Sequence, residues 1–430
     1  MPTKIYEGGA RARAQVETYT VGSATNGQIF GITINNKTIS YTAGGAETTT
    51  TIAAALKALL AATDAPPEFQ EITWTQAAAV ITMTAKTAGK PVVTAVSAST
   101  TGTLTKATTT ANVGPEVWSE ATNWDGGAIP ANGDDVWIKA PVRYDLDNAT
   151  MMALALASLN IPLDIEDAVG LPEINEDNSS LPYGEYRSTF LRFTVPPTTV
   201  NVGDGVDGNG SGLLRLDLGQ TANAATTTIN VFNTADSVVD GVEALLLKVT
   251  KTGTGANTLN VTRGSVGVAV LPGETSTFAD GSVRVGYISS QESDAEVRFG
   301  SGVAMPATLL KTGGKMTVAS NMTTLNHRGG ELTVNGAATL TTGNYDKGTI
   351  NWNSSGTQTT VNGGSDVILN FNGDPRTKII TTLAPKQGFK LIDDQGIVTV
   401  TNGIAMTQLD LKIQGELDLS FGPGRTITIT

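Results

Sequence analysis

A short pattern that returns four times between Thr308 and Leu369 restricts this chain more than any other feature. Ala307–Val318 (ATLLKTGGKMTV) aligns with Thr323–Val334 (TTLNHRGGELTV) and with Thr341–Trp352 (TTGNYDKGTINW), and a shorter copy occupies Thr359–Gly364 (TTVNGG). Each copy reads as an alternating strand, a glycine corner and a second alternating strand. The corner returns after 16 residues from Gly314 to Gly330, after 18 to Gly348 and after 16 to Gly364. Units of this size and composition are the mark of a β-solenoid. One coil cannot bury its apolar side alone, so coils must stack and share a core.

A second marker extends the stack upstream. Thr199–Val202, Thr228–Val231, Thr258–Val261 and Thr324–His327 repeat one tetrapeptide at intervals of 29, 30 and 66 residues. These intervals read as turns of about 30 residues with one marker degenerated, tapering to the 16- and 18-residue coils downstream. Strands at 213–218, 245–249, 283–285 and 297–299 alternate as solenoid faces should. The stack is expected to hold about ten coils and stand ~50 Å tall at ~4.8 Å per coil.

Residues 1–13 read as an extended arm, with Arg11 and Arg13 as candidates for contact with a neighbouring subunit. Residues 14–112 read as a small α+β domain. A strand at Ile29–Ile34 turns through Asn35-Asn36 into Thr38–Tyr41 as a tight hairpin. Hydroxyls at Thr48–Thr51 then cap a helix with Ile52, Leu56, Leu59 and Leu60 on one face, ending before Asp64-Ala65-Pro66-Pro67. Strands follow at Glu71–Trp74, Val80–Ala85 and Pro91–Thr94, and the Thr/Ala/Ser run from Ala95 to Asn112 reads as a linker.

Residues 113–138 read as a cap on the stack. Three of the five tryptophans, Trp118, Trp124 and Trp137, fall there, and large side chains are what the open end of a shared core needs. A sugar-binding aromatic cluster is the alternative. Residues 139–430 then form the solenoid proper, with a loop excursion at 161–198 rich in proline and in aromatics. Tyr183, Tyr186, Phe190 and Phe193 in that excursion are candidates for a partner contact, because binding concentrates on loops held by rigid scaffolds. The strand period runs on to Thr426–Ile429, so the C-terminal end is expected to be tied into a sheet. The fold class is therefore mainly β: a small N-terminal α+β domain followed by a parallel β-helix.

Forty acidic residues against 28 basic ones give a net charge of −12, which repels a phosphate backbone, so no nucleic-acid partner is expected. With zero cysteines, no disulfide and no thiolate metal site can form. Residues 1–11 contain no apolar run to serve as an export signal, and no segment has the ~18 apolar residues of a membrane span. Assembly in a cytoplasm, away from membranes, is the expectation.

Chemistry is sparse. His327 is the one histidine and sits at a coil corner whose siblings carry Val261 and Tyr345, so it reads as structural. Carboxylate pairs such as Glu331 with Asp346, or Asp366 with Asp374, lie among Thr, Asn and Gly without the aromatic platforms of a sugar groove. Asp207-Gly208-Asn209-Gly210-Ser211-Gly212 opens like a calcium loop, but Leu218 stands where a bidentate Glu is needed. Asp204, Asp207 and Asn209 are the metal ligands to test; otherwise no metal, no cofactor and no catalytic residue is expected.

Two stretches carry a resemblance. The order over residues 15–100 of strand, Ile34-Asn35-Asn36-Lys37 hairpin, Thr-rich cap, Ala/Leu helix and Ile81–Pro91 strand pair resembles a small module met in structural proteins of tailed bacteriophages. Val117–Ile138, with its Asn123-Trp124, Gly126-Gly127 and Gly133-Asp134-Asp135, resembles the phrase that opens many bacterial and phage β-solenoids. The resemblance implies a virion structural protein assembled in the host cytoplasm. Within that class it implies a homotrimeric decoration protein contacting the major capsid protein or other virion proteins. A tail fibre or tailspike, a polysaccharide-degrading enzyme and a bacterial adhesin are the rival readings.

Overall fold

The computed structural model describes residues 2–99, 101–162, 169–175, 182–203, 213–219, 226–234, 243–250, 255–286, 295–402 and the backbone of 418–421. The protein is mainly β, and its largest feature is a long parallel assembly consistent with a β-solenoid. Two parallel sheets run side by side through it. The first begins at Thr3–Tyr6, passes to Asp135–Ile138 and Ser158–Ile161, and proceeds through the tetrapeptide strands to Val398–Val400. The second runs from Leu191–Arg192 to Asp418–Phe421. A single cluster of buried side chains from both sheets extends from Tyr6 to Val398, so the coils share one interior.

The tetrapeptides stack in register: Val200 on Ile229 on Leu259, with Asn201 on Asn230 on Asn260. The long interval after Leu259 contains three turns rather than two, because Val283 and Leu309 stand on intermediate rungs before Leu325. Two markers have therefore lost their signature: Ser282–Val285 keeps only its valines, and Thr308–Lys311 ends in lysine. Downstream, Leu309, Leu325, Gly343 and Val361 pair as the repeat requires.

Corner glycines permit this close stacking. Gly330 has φ +74°, and a β-carbon there would stand 2.2 Å from the Gly314 carbonyl oxygen; at Gly348, φ is +101° and the Gly330 oxygen would be 2.4 Å away. Neither the conformation nor the space admits a side chain. The fourth glycine departs from the pattern. An irregularity between Tyr345 and Lys347 shifts the register, so Gly348 faces Val367 and Gly364 packs over Asp346.

Trp118 and Trp124 are buried at the first end of the stack, where the chain's first strand joins them, whereas Trp137 points outward. Within residues 2–13, Thr3–Tyr6 forms a strand that adds to the outer edge of Asp135–Ile138. Tyr6 enters the core beside Trp118, at 5.6 Å between ring centroids, and beside Trp124, at 5.2 Å. Asn123 is wholly buried and ties the layers together: its side-chain oxygen accepts from the Ala10 N–H at 2.8 Å, and its amide donates to the Gly114 and Val117 carbonyls at 2.9 Å.

Between the first strand and the cap lie two antiparallel sheets and a helix around a separate buried cluster. The Asn35-Asn36 hairpin has positive φ at both residues, as a two-residue turn of that hand requires. The helix spans Thr49–Leu60, with Thr48 and Thr51 forming a capping box. Its buried face is Ile52, Ala53, Leu56 and Leu60; Leu59 points outward at 43% exposure, contrary to the sequence reading. The presumed linker also folds: Thr94–Ala98 pairs with Ile29–Ile34, and Leu104–Thr110 pairs with Val16–Val21. A run rich in threonine suits a half-buried pleated surface as well as it suits a loop.

If the aromatic cap closes the shared core, Trp124→Ala should cost about 3–5 kcal/mol of stability in chemical denaturation. A loss below ~1 kcal/mol would mean the cap does not close it.

Candidate functional site

Three groupings of polar side chains stand out: one on the outside of the first sheet, one inside a coil corner and one where the loop excursion meets the N-terminal sheets. The outward residues of the first sheet form two columns. A hydroxyl column runs from Ser158 through Thr199, Thr228 and Thr258 to Ser282. It continues from Thr308 through Thr324, Thr342 and Thr360 to Thr382. The second column is mostly asparagine. Asn201 donates its amide N–H to Asn160 at 2.9 Å, Asn230 to Asn201 at 3.0 Å and Asn260 to Asn230 at 3.0 Å. After Arg284 and Leu310 the ladder resumes, Asn344 donating to Asn326 at 2.9 Å and Asn362 to Asn344 at 2.8 Å. The recurring Asn of the tetrapeptide was visible in the sequence; its hydrogen-bonded ladder was not part of that reading.

Inside the coil, one position changes character down the stack. Val261 and Val285 give way to Lys311, His327 and Tyr345. Lys311 is wholly buried, and its ammonium donates to the carbonyls of Gly313 at 2.9 Å, Gly314 at 2.7 Å and Gly329 at 2.7 Å. Those oxygens belong to two successive corners, so the side chain bolts one coil to the next. Burial pushes the Lys311 pKa down to about 7, a shift that the Glu331 carboxylate opposes. Burial, reinforced by the Lys311 charge, pushes His327 down to about 3 and keeps the imidazole neutral. Tyr345 meets His327 edge-on at 6.2 Å and donates its hydroxyl to Gln358 at 2.8 Å. His327 is therefore a structural core residue, as its corner position implied.

The loop excursion turns back onto its own chain. Tyr183 is buried and donates to Glu71 at 2.8 Å, and Tyr186 packs against the N-terminal core cluster. Arg187, next to Tyr186 in the chain, is buried, with its Nε donating to the Pro91 carbonyl at 2.6 Å and its Nη1 to Glu185 at 2.9 Å. Its guanidinium also sits 4.4 Å from the Tyr186 ring centroid. Burial works against the Arg187 charge, but Tyr186 and Glu185 outweigh it and hold the pKa above the usual range. Desolvation pushes the Tyr186 hydroxyl up to about 12. Phe190 is also buried, with Lys248 Nζ 3.7 Å from its ring centroid, and Phe193 lies in the solenoid core. Thus all four aromatics singled out as partner contacts have partners within the chain. Arg11 and Arg13 remain exposed, and Arg13 pairs through its backbone with Val113.

Three of the four carboxylates in the candidate pairs have partners of their own. Glu331 accepts from Asn351 at 2.9 Å; Asp346 lies 3.8 Å from Arg328; Asp374 is held by Arg376 and Lys378. Among the described residues no group of three or more His, Cys, Asp or Glu could hold a metal ion. Asp204, Asp207 and Asn209 lie outside the described residues, as do the expected strands at 409–413 and 426–429. No described helix is long and apolar enough to cross a membrane. Comparison with family models, curated proteins and solved structures returns no match to this chain.

Two outcomes follow from the buried groups. From pH ~3 to ~6.5 the folded chain holds fewer protons on His327 than the unfolded chain does, so its contribution to stability is complete above ~6.5 and is lost as the pH falls. From ~7 to ~10 the lowered Lys311 makes stability rise further with pH. Denaturation across pH should show His327→Gln flattening the acid limb and Lys311→Met the alkaline one; slopes identical to wild type would contradict both assignments. At the loop junction, Arg187→Met leaves buried carboxylates uncompensated and should cost about 3–5 kcal/mol. Arg376→Met, removing an exposed partner of Asp374, should cost less than ~1 kcal/mol in the same assay.

Proposed function

We propose that this chain is a structural protein of a tailed-bacteriophage virion: a homotrimeric decoration protein that stands on the head, with the major capsid protein or another virion protein as its partner. The observation that carries the proposal is the bracing of a long parallel stack against a compact unit of sheets and helix. That unit meets the stack's loop excursion at Arg187, which donates to the Pro91 carbonyl, and at Tyr183, which donates to Glu71. In this reading the N-terminal elements are a small α+β module that grips the shell, and the parallel β-helix projects from it. At ~4.8 Å per rung, the strands of the first sheet span on the order of 60 Å, a suitable length for a projecting element. The net charge of −12 keeps neighbouring projections and the packaged genome from adhering to it. The role is mechanical, and no catalytic step is assigned to it.

The ladder face supports a second reading, a tail fibre or tailspike that meets the host receptor along the stack. Counting copies on purified particles by quantitative mass spectrometry separates the two. The decoration reading expects copies in the hundreds and a solution mass three times that of one chain. Tens of copies, or antibody labelling confined to the tail, would replace it with the second reading, and absence from particles would remove both.

A further inference from the structure

The outward face of the first sheet has a chemistry that the proposed mechanical role does not use. From Ser158 to Thr382 each successive rung presents a hydroxyl, and in seven of those rungs the neighbouring column presents an asparagine amide. Rungs are separated by ~4.8 Å and the two columns by roughly 6.6 Å, the rise of two residues along a strand. The amides do not move freely, because bonds between successive amides fix Asn160 to Asn260 and, after Arg284 and Leu310, Asn326 to Asn362. A ladder bond uses one N–H and one lone pair, so an amide inside the ladder keeps a second N–H and a second lone pair; Asn160, buried and donating both N–H to the Val136 carbonyl and Ser158, and Asn260, whose Oδ1 is buried, offer less. The result is a preorganised strip in which donors and acceptors alternate, and binding to it loses little side-chain freedom.

Charge narrows the ligand class. In a chain of net charge −12, these two columns contain one charged side chain between Ser158 and Thr382, Arg284, and one more on the Trp137 rung, Asp135, which accepts from Ser158 at 2.9 Å. A polyanion would meet no cationic row and an unfavourable overall field, and a polycation would meet no row of acids. A neutral polyol, whose hydroxyls both donate and accept, suits the strip. The aromatic residue at its end agrees. Trp137 stands on the rung before Asn160 in the amide column and is 38% exposed, whereas Trp118 and Trp124 are buried in the cap. An exposed indole offers a flat apolar surface against which the C–H face of a sugar ring can pack. Trp137 and the amide column out to Asn362 cover about 40 Å at ~4.8 Å per rung, so the ligand is a chain rather than a single sugar.

We infer that this face binds a neutral polysaccharide laid along the stack axis, with Trp137 as the stacking platform and the threonine and asparagine columns as hydrogen-bonding rails. The binding does not depend on where the protein sits on a particle, so the copy-number result leaves it untouched.

Affinity electrophoresis of the full chain in gels containing dextran, a soluble mixed-linkage β-glucan or a mannan tests it, with alginate as the anionic comparison. Retardation by at least one neutral polymer and none by alginate is expected. Trp137→Ala, and separately the near-isosteric triple substitution Thr324→Val, Thr342→Val, Thr360→Val, should each weaken that retardation by about tenfold in apparent Kd. Unchanged circular dichroism would show that both variants fold, and if one does not, the other decides. Unchanged migration in all three neutral polymers, retardation by alginate alone, or variants retarded as strongly as wild type would overturn the inference.

Discussion

Each coil of this protein gives its strand hydrogen bonds to the coils above and below it, and from this the rest of the structure follows. Inward side chains such as Val200, Ile229 and Leu259 can leave water only when a neighbouring rung lies on them, so no coil is stable alone. The same dependence makes the end of the stack a problem, since its first rung has an open edge and an uncovered core. Here the chain's own first strand pairs with the edge, and Tyr6, Trp118 and Trp124 cover the core. The cap and the body are thus two consequences of one constraint.

Polar groups placed inside the stack show how closely the corners are matched. A lysine in the position occupied elsewhere by Val261 would ordinarily be a large destabilisation. Lys311 is tolerated because the glycine corners of its own coil and the next present carbonyl oxygens at hydrogen-bonding distance. Outside, the asparagine ladder does the same work between rungs through neutral amides. Neither arrangement needs a ligand, and both raise the specificity of register, because a slip of one residue would send Lys311 and Asn326 to the opposite faces.

Much of this was legible in the sequence, for a physical reason. In-register parallel stacking puts like residues on like, so a rung that works is repeated, and Thr-x-Asn-Val with its glycine corners survives as a visible period. Legibility failed where a rung satisfied the stack with different residues. Ser282–Val285 and Thr308–Lys311 kept the alternation but lost the signature, and three turns were read as two. The strands at Thr94–Ala98 and Leu104–Thr110 were missed because their threonines form no apolar alternation. Leu59 was assigned to the helix's buried face on its apolarity, although Ala53 holds that place. The loop aromatics read as contacts for a separate partner, yet the partners of Tyr183 and of its neighbour Arg187, Glu71 and Pro91, are in the same chain but distant in sequence, and nothing local points to them.

The absence of cysteine from the natural chain makes the register directly measurable. Adjacent rungs bring α-carbons within ~4.8 Å, inside the range of about 4.4–6.8 Å that a disulfide bridges, whereas rungs two apart are separated by roughly 9.6 Å. The pairs Thr199→Cys with Thr228→Cys, and Thr324→Cys with Thr342→Cys, should oxidise to intramolecular disulfides in the folded protein, and Thr199→Cys with Thr258→Cys should not. Failure of both adjacent pairs to close, or ready closure of the two-rung pair, would contradict a single register-matched stack of parallel coils.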